Sequence, residues 1–180
     1  MMPINMETIL EYASRYDSSQ KPQDRATEEK MKSLLEEQRH LGRDELVEIG
    51  VWKTPRQKRR YQSNDELAVK EITKFSFSAK SERARIGVLL ALDGVSYAVA
   101  STILHFAFPR RYPILDFRAL WSLGWKQPSS YNVEFWEKYC AEIRDLSKKL
   151  NLPIRTIDKA LWQYSREHQG KRRKAEGGES

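Results

Sequence analysis

Leu92-Asp93-Gly94-Val95-Ser96-Tyr97-Ala98-Val99-Ala100-Ser101-Thr102-Ile103-Leu104-His105-Phe106 holds the end of one helical pattern and the start of another. Ser81 to Leu92 places Ile86, Leu89, Leu90 and Leu92 at helical spacing, and Ser96 to Phe108 is the most apolar helix of the chain. Between them Gly94 supplies a tight turn and Val95 an apolar plug. Such a turn aims successive backbone N–H groups outward at a helix N-terminus, which suits a phosphate. Backbone donors carry no base preference, so a partner held this way would be gripped independently of its sequence. A plain helix–turn–helix connection with a glycine C-cap is the alternative reading of the same residues.

Working outward, helical periodicity recurs and alternating strand patterns are nearly absent, so the expected class is all-α with about nine or ten helices. Met6 to Tyr16 reads as a short helix, residues 17–26 as a polar linker, and Thr27 to Leu41 as a helix stopped by Gly42. Asp44 is placed to cap Glu45 to Val51, which runs into a basic loop. Ser63 with Glu66 resembles a capping box for a helix from Asn64 to about Phe75. Pro109 to Pro113 is a turn, and Leu115–Leu123, Asn132–Leu150 and Pro153–His168 complete the set. Residues 169–180, with Lys171-Arg172-Arg173-Lys174, read as a disordered basic tail.

The 180 residues carry a net charge of +7, distributed unevenly. Residues 1–50 are net acidic, and basic character begins at Trp52-Lys53-Thr54-Pro55-Arg56-Gln57-Lys58-Arg59-Arg60. Lys, Arg and Trp together favour a phosphate-rich partner, although a solvated basic surface has the same composition. One cysteine, Cys140, excludes an internal disulfide, a Cys-rich zinc site and a four-cysteine iron–sulfur cluster. The histidines His40, His105 and His168 are too dispersed to suggest a metal site. No apolar run reaches the roughly 18 residues of a membrane span, and the N-terminus lacks the order of a signal peptide. A soluble, cytoplasmic protein is expected.

The residues after the hairpin add a second pattern. Gly94 is followed 22 positions later by Asp116, through Pro109-Arg110-Arg111-Tyr112-Pro113-Ile114-Leu115-Asp116. Hairpin, proline-containing loop and aspartate together resemble the helix-hairpin-helix, endonuclease III-like superfamily of DNA glycosylases. Its hairpin reads roughly Leu-Pro-Gly-Val-Gly-x-x-Thr-Ala, and its essential Asp lies at this spacing. The resemblance covers about 30 residues. It implies an all-α fold of two helical lobes with a cleft between them. One lobe would span 27–114, including the hairpin 86–108; residues 1–26 and 115–168 would form the other.

The resemblance further implies a catalytic Asp116, with Gly94, Val95, Ser96 and Ala98 on the DNA backbone and Arg110, Arg111 and Arg118 as flanking phosphate ligands. Double-stranded DNA is the implied partner, and a monomer the implied state, nucleoid-associated if the source is bacterial. Three departures refine it. Ala98 stands where bifunctional members carry a lysine nucleophile, so a monofunctional enzyme without lyase chemistry is expected. The cysteine count excludes the superfamily's iron–sulfur cluster, so no cofactor is expected beyond a hairpin-bound monovalent cation. Asp93 and Ser96 replace a proline and a glycine, though Ser96 still offers its hydroxyl and N–H.

Breaking an N-glycosidic bond builds positive charge on the sugar, and a nearby carboxylate stabilises it and orients water. Asp116 also precedes a helix, so it is equally suited to N-capping. The target base must leave the stack, which calls for stacking or wedging side chains. Trp52, Lys53, Arg56, Tyr97 and His105 are the candidates, with Phe117, Trp121 and Trp125 behind them; for each aromatic a core role competes, and His105 reads more readily as internal. Damaged bases and hypermodified bases of viral DNA are both open as substrates. A non-catalytic helix-hairpin-helix DNA-binding adaptor is the competing function.

Overall fold

The computed structural model describes residues 1–170, which form ten α-helices and one 3-10 turn with no strand among the described residues. The class is all-α. The helices are α1 Met6–Ser19, α2 Pro22–Glu37, α3 Arg43–Lys53, α4 Lys58–Gln62 and α5 Glu66–Ser78. They continue as α6 Glu82–Leu89, α7 Tyr97–Ala107, α8 Phe117–Ser122, α9 Val133–Leu150 and α10 Ile154–His168. The 3-10 turn, Pro55–Gln57, lies between α3 and α4.

Several boundaries differ from the sequence expectation, each for a local reason. The polar stretch 17–26 is not a linker: α1 continues to Ser19 and α2 begins at Pro22, where a proline costs no hydrogen bond. The expected lobe boundary at 26/27 therefore falls inside α2. Gly42 does not stop a helix but starts one; it is the N-cap of α3, and the Glu45 carboxylate accepts its N–H at 2.7 Å. Ser63 ends α4, and Asp65 caps α5 in its place, accepting from Ala68 N at 2.9 Å. Glu66 reaches instead to the Arg43 N–H, at 2.8 Å. The basic loop is largely helical. Pro153 is the N-cap of α10 rather than a residue inside it. Of the expected tail, Gln169 caps α10, and residues 171–180 lie outside the described residues.

α7 is the central element. Val99 to Phe106 are all buried, and α7 packs against α2, α3 and α6. α10 lies along α1 and crosses α8 and α9, burying Ile154, Ile157, Ala160 and Leu161. Ser122 Oγ donates to Leu161 O at 2.6 Å, fixing α8 to α10. Arg85, buried, donates to the carbonyls of Ser76, Phe77 and Ala79, satisfying the C-terminal end of α5.

Candidate functional site

Asp116 is the N-cap of α8, with extended backbone and Oδ1 accepting from Arg118 N at 2.9 Å. Its other oxygen, Oδ2, receives Lys53 Nζ at 2.6 Å. The two side chains are only 16% and 9% exposed. Lys53 ends α3, and the packing of α3 on α7 carries it across 63 positions of sequence to the aspartate. The segment before Asp116 is held at three points. Ile114 N donates to Asp158 Oδ2 at 2.9 Å, Ile114 O accepts from Tyr139 Oη at 3.1 Å, and Leu115 N donates to Ser101 Oγ at 2.9 Å. The carboxylate is thus fixed in place by buried groups from α7, α9 and α10.

On one side of the Lys53–Asp116 pair lies a groove of about 680 Å³ containing the hairpin. Gly94, at φ 84°, lies in the left-handed region, and a Cβ there would stand 2.8 Å from the Tyr61 ring. Asn64 brackets the turn: its Oδ1 accepts from Asp93 N at 2.8 Å and its Nδ2 donates to Asp93 O at 3.1 Å. Val95 is buried as the plug. Ser96 is the N-cap of α7 but makes no side-chain cap bond, which leaves its exposed hydroxyl available to a ligand. Ala98, Arg56 and Arg60 line the same groove.

On the other side is a cavity of about 320 Å³, walled by Tyr16, Trp52, Arg155, Asp158 and Trp162. Arg155 donates to Glu28 (Nε to Oε2, 3.1 Å) and to Tyr16 Oη (3.1 Å), and its guanidinium lies over the Tyr16 and Trp52 rings. Burial alone would lower its pKa, but Glu28 and Tyr16 outweigh burial and the net shift is upward. Asp158 is 4% exposed, and its Oδ1 has no hydrogen-bond partner. Burial pushes its pKa up to about 7, against the pull of the Ile114 N–H, Arg155 and Lys53.

The expected site residues divide accordingly. Asp116, Lys53, Arg56, Gly94, Val95, Ser96 and Ala98 come together along the groove, and Trp52 enters the cavity. Trp52 is helical rather than turn-like, and its Nε1 donates to Asp24 O at 3.1 Å. His105 is not a pocket residue. It is 3% exposed, its Nδ1–H donates to Tyr112 O at 2.7 Å, and burial lowers its pKa to about 3, so it is a neutral internal histidine. Tyr97 lies outside both cavities, half-buried near Glu134 and Arg83.

Arg110 and Arg111 are also displaced from the site, because they follow the far end of α7, about 16 Å of helix from the hairpin. Arg111 pairs with Glu82 and covers the Tyr112 ring; Arg110 is exposed. Arg118 lends Asp116 its N–H, while its guanidinium lies over Phe117 and Trp162. Trp121 packs against Tyr164, and Trp125 against Phe135 and Tyr139.

Sequence reasoning missed the cavity wall of Tyr16, Arg155, Asp158 and Trp162. One signal was present: Asp158 stands in the helical stripe Ile154, Ile157, Leu161, where an apolar residue belongs. Among the described residues no cluster of His, Cys, Asp and Glu could hold a metal ion, and no helix is long and apolar enough to cross a membrane. Comparison with protein-family models, with curated proteins and with solved structures found no match.

Proposed function

We propose that the chain is a monofunctional DNA glycosylase that hydrolyses the N-glycosidic bond of a damaged or modified base and leaves an abasic site. One observation carries the reading. Asp116, anchored through Ile114 and Leu115, lines both the hairpin groove and the aromatic-walled cavity. In this reading the groove receives the backbone of double-stranded DNA and the cavity the extruded base, with C1′ of the sugar at Asp116.

The carboxylate stabilises the oxocarbenium-like sugar and accepts hydrogen from the attacking water. Two of its roughly four acceptor sites are taken by Lys53 and Arg118 N, which leaves capacity for substrate. Lys53 holds the carboxylate in register. Ala98 stands where a lyase lysine would be needed, so the product in this reading is the abasic site. The two-lobe arrangement belongs to the same proposal, with the first division moved to Gln20-Lys21, between α1 and α2. A monomer without an organic cofactor or iron–sulfur cluster, able to take a monovalent cation at the hairpin, completes the proposal. The substrate includes the hypermodified bases of viral DNA as one class to be tried.

The non-catalytic adaptor is the second reading, favoured by the capping bond from Asp116 to Arg118 N. The experiment that separates them is base release from duplexes carrying a panel of damaged and hypermodified bases, with Asp116→Asn alongside. The glycosylase reading expects strand breaks only after alkali, abolished in the variant. No release across the panel, with salt-sensitive duplex binding retained, establishes the adaptor.

A further inference from the structure

We infer that Asp158 is a second catalytic carboxyl group, protonating the departing base from the wall of the smaller cavity while Asp116 stabilises the sugar. The inference rests on the glycosylase reading and extends it to the class of base released.

Geometry supplies the first argument. Asp158 lines the same cavity as Asp116 and is 4% exposed. Its Oδ2 is committed to Ile114 N, whereas Oδ1 has no partner. A buried carboxyl oxygen left without a partner carries a cost that a native structure retains for a reason. Oδ2 alone serves the bond to Ile114, and Oδ1, itself enclosed in the cavity wall, is the position left to carry a proton.

The second argument is the contrast between the two carboxyl groups. Asp116 is paired with an ammonium, while Asp158 is pushed by burial to a pKa of about 7. The geometric contrast assigns the roles: the carboxyl group held by Lys53 faces the sugar, and the one with an unpartnered oxygen is the proton donor. The groups acting on Asp158 are Arg155 on its own helix, Lys53 from α3, Asp116 ahead of α8, and Tyr139 and Cys140 from α9. Burial raises Tyr139 and Cys140, so both stay protonated at neutral pH.

The step balances. The C1′–N bond breaks and both its electrons go to the base; the base takes the proton of Asp158, leaving a carboxylate. Water adds its oxygen to C1′ and gives a proton, through Asp116, to solvent. Asp158 recovers a proton from solvent, so water is divided between sugar and base. Only a base that would otherwise depart as an anion needs this proton. The substrate class this step serves is therefore a neutral modified base; a cationic alkylated base departs as a neutral molecule and has no use for the proton.

The test is single-turnover base release on whichever duplex the panel identifies, across pH about 5 to 9, beside a halogenated analogue whose anion leaves more readily. The wild-type rate is expected to fall as pH rises through about 7. Asp158→Asn is expected to lose that limb and to be slower in acid by about 10²-fold or more. Its defect shrinks on the halogenated analogue, whereas a merely positioning Asp158 would slow both substrates equally. Carbon-13 NMR of labelled aspartates in the unmutated protein locates the buried titration without any variant. A variant matching wild type in rate and pH profile, or an Asp158 carboxyl ionised well below neutrality, overturns the inference and leaves the glycosylase standing. No release by the wild type on any base removes both.

Discussion

Lys53 Nζ and Asp116 Oδ2 meet at 2.6 Å, and this ion pair lines both the hairpin groove and the aromatic cavity. Neither partner is well solvated, so each depends on the other. Removing one leaves an uncompensated charge, which at buried pairs costs about 3–5 kcal/mol. Lys53→Gln is expected to lower the melting temperature and to slow base release by about tenfold or more. Borohydride reduction on a duplex with a preformed abasic site is expected to trap no protein–DNA adduct with wild type. A trapped adduct that disappears in Lys53→Gln would make the enzyme bifunctional.

Gly94→Ala combines a left-handed φ with a Cβ 2.8 Å from the Tyr61 ring. The strain is expected to cost about 1–3 kcal/mol. Denaturant unfolding reads the loss, and duplex affinity should fall with it because the hairpin is re-aimed. An unchanged unfolding midpoint would mean that Tyr61 yields freely.

Arg56 and Arg60 line the groove, where the proposed function makes them unselective phosphate ligands. Arg56→Ala and Arg60→Ala are each expected to weaken duplex binding by a similar factor for every sequence. Each arginine removed from a phosphate should reduce the slope of log K against log salt by about 0.9. Arg110→Ala, beyond the far end of α7, is the control and is expected to leave the slope alone.

Stability against pH carries two opposing signs. His105 falls from 6.5 to about 3 on folding, so the unfolded chain binds more protons between those values and stability declines as pH drops through that window. Asp158 rises from 3.8 to about 7, so the folded chain binds more protons and stability declines as pH climbs from about 4 to 7. The two slopes offset where they overlap. Melting of the wild type should be nearly flat between pH about 4 and 6.5, whereas Asp158→Asn should lose stability steadily on acidification over that range. Parallel curves would show that Asp158 is ionised when folded.

Much of the scaffold was legible from the chain. Periodicity located most of the helices, though not α4 or the start of α2, and the run from Gly94 to Asp116 marked the turn and the carboxylate. Local chemistry was misread where two residues competed for one role, as with Ser63 and Asp65 at the start of α5. The other half of the site was not legible, because Lys53 reaches Asp116 only through the packing of α3 on α7. Trp52 looked like a turn residue because its neighbours are polar, yet it faces Phe106 inside the fold. Asp158 announced itself only as a polar interruption of an apolar stripe, a pattern whose meaning depends on what packs opposite.

The smaller cavity is walled by Tyr16 from α1 and by Arg155, Asp158 and Trp162 from α10. On the ribosome, the hairpin and its supporting helices leave the tunnel well before α10 does. The hairpin draws its support from α3, α6 and α7, whereas the chamber is enclosed only once α10 packs along α1.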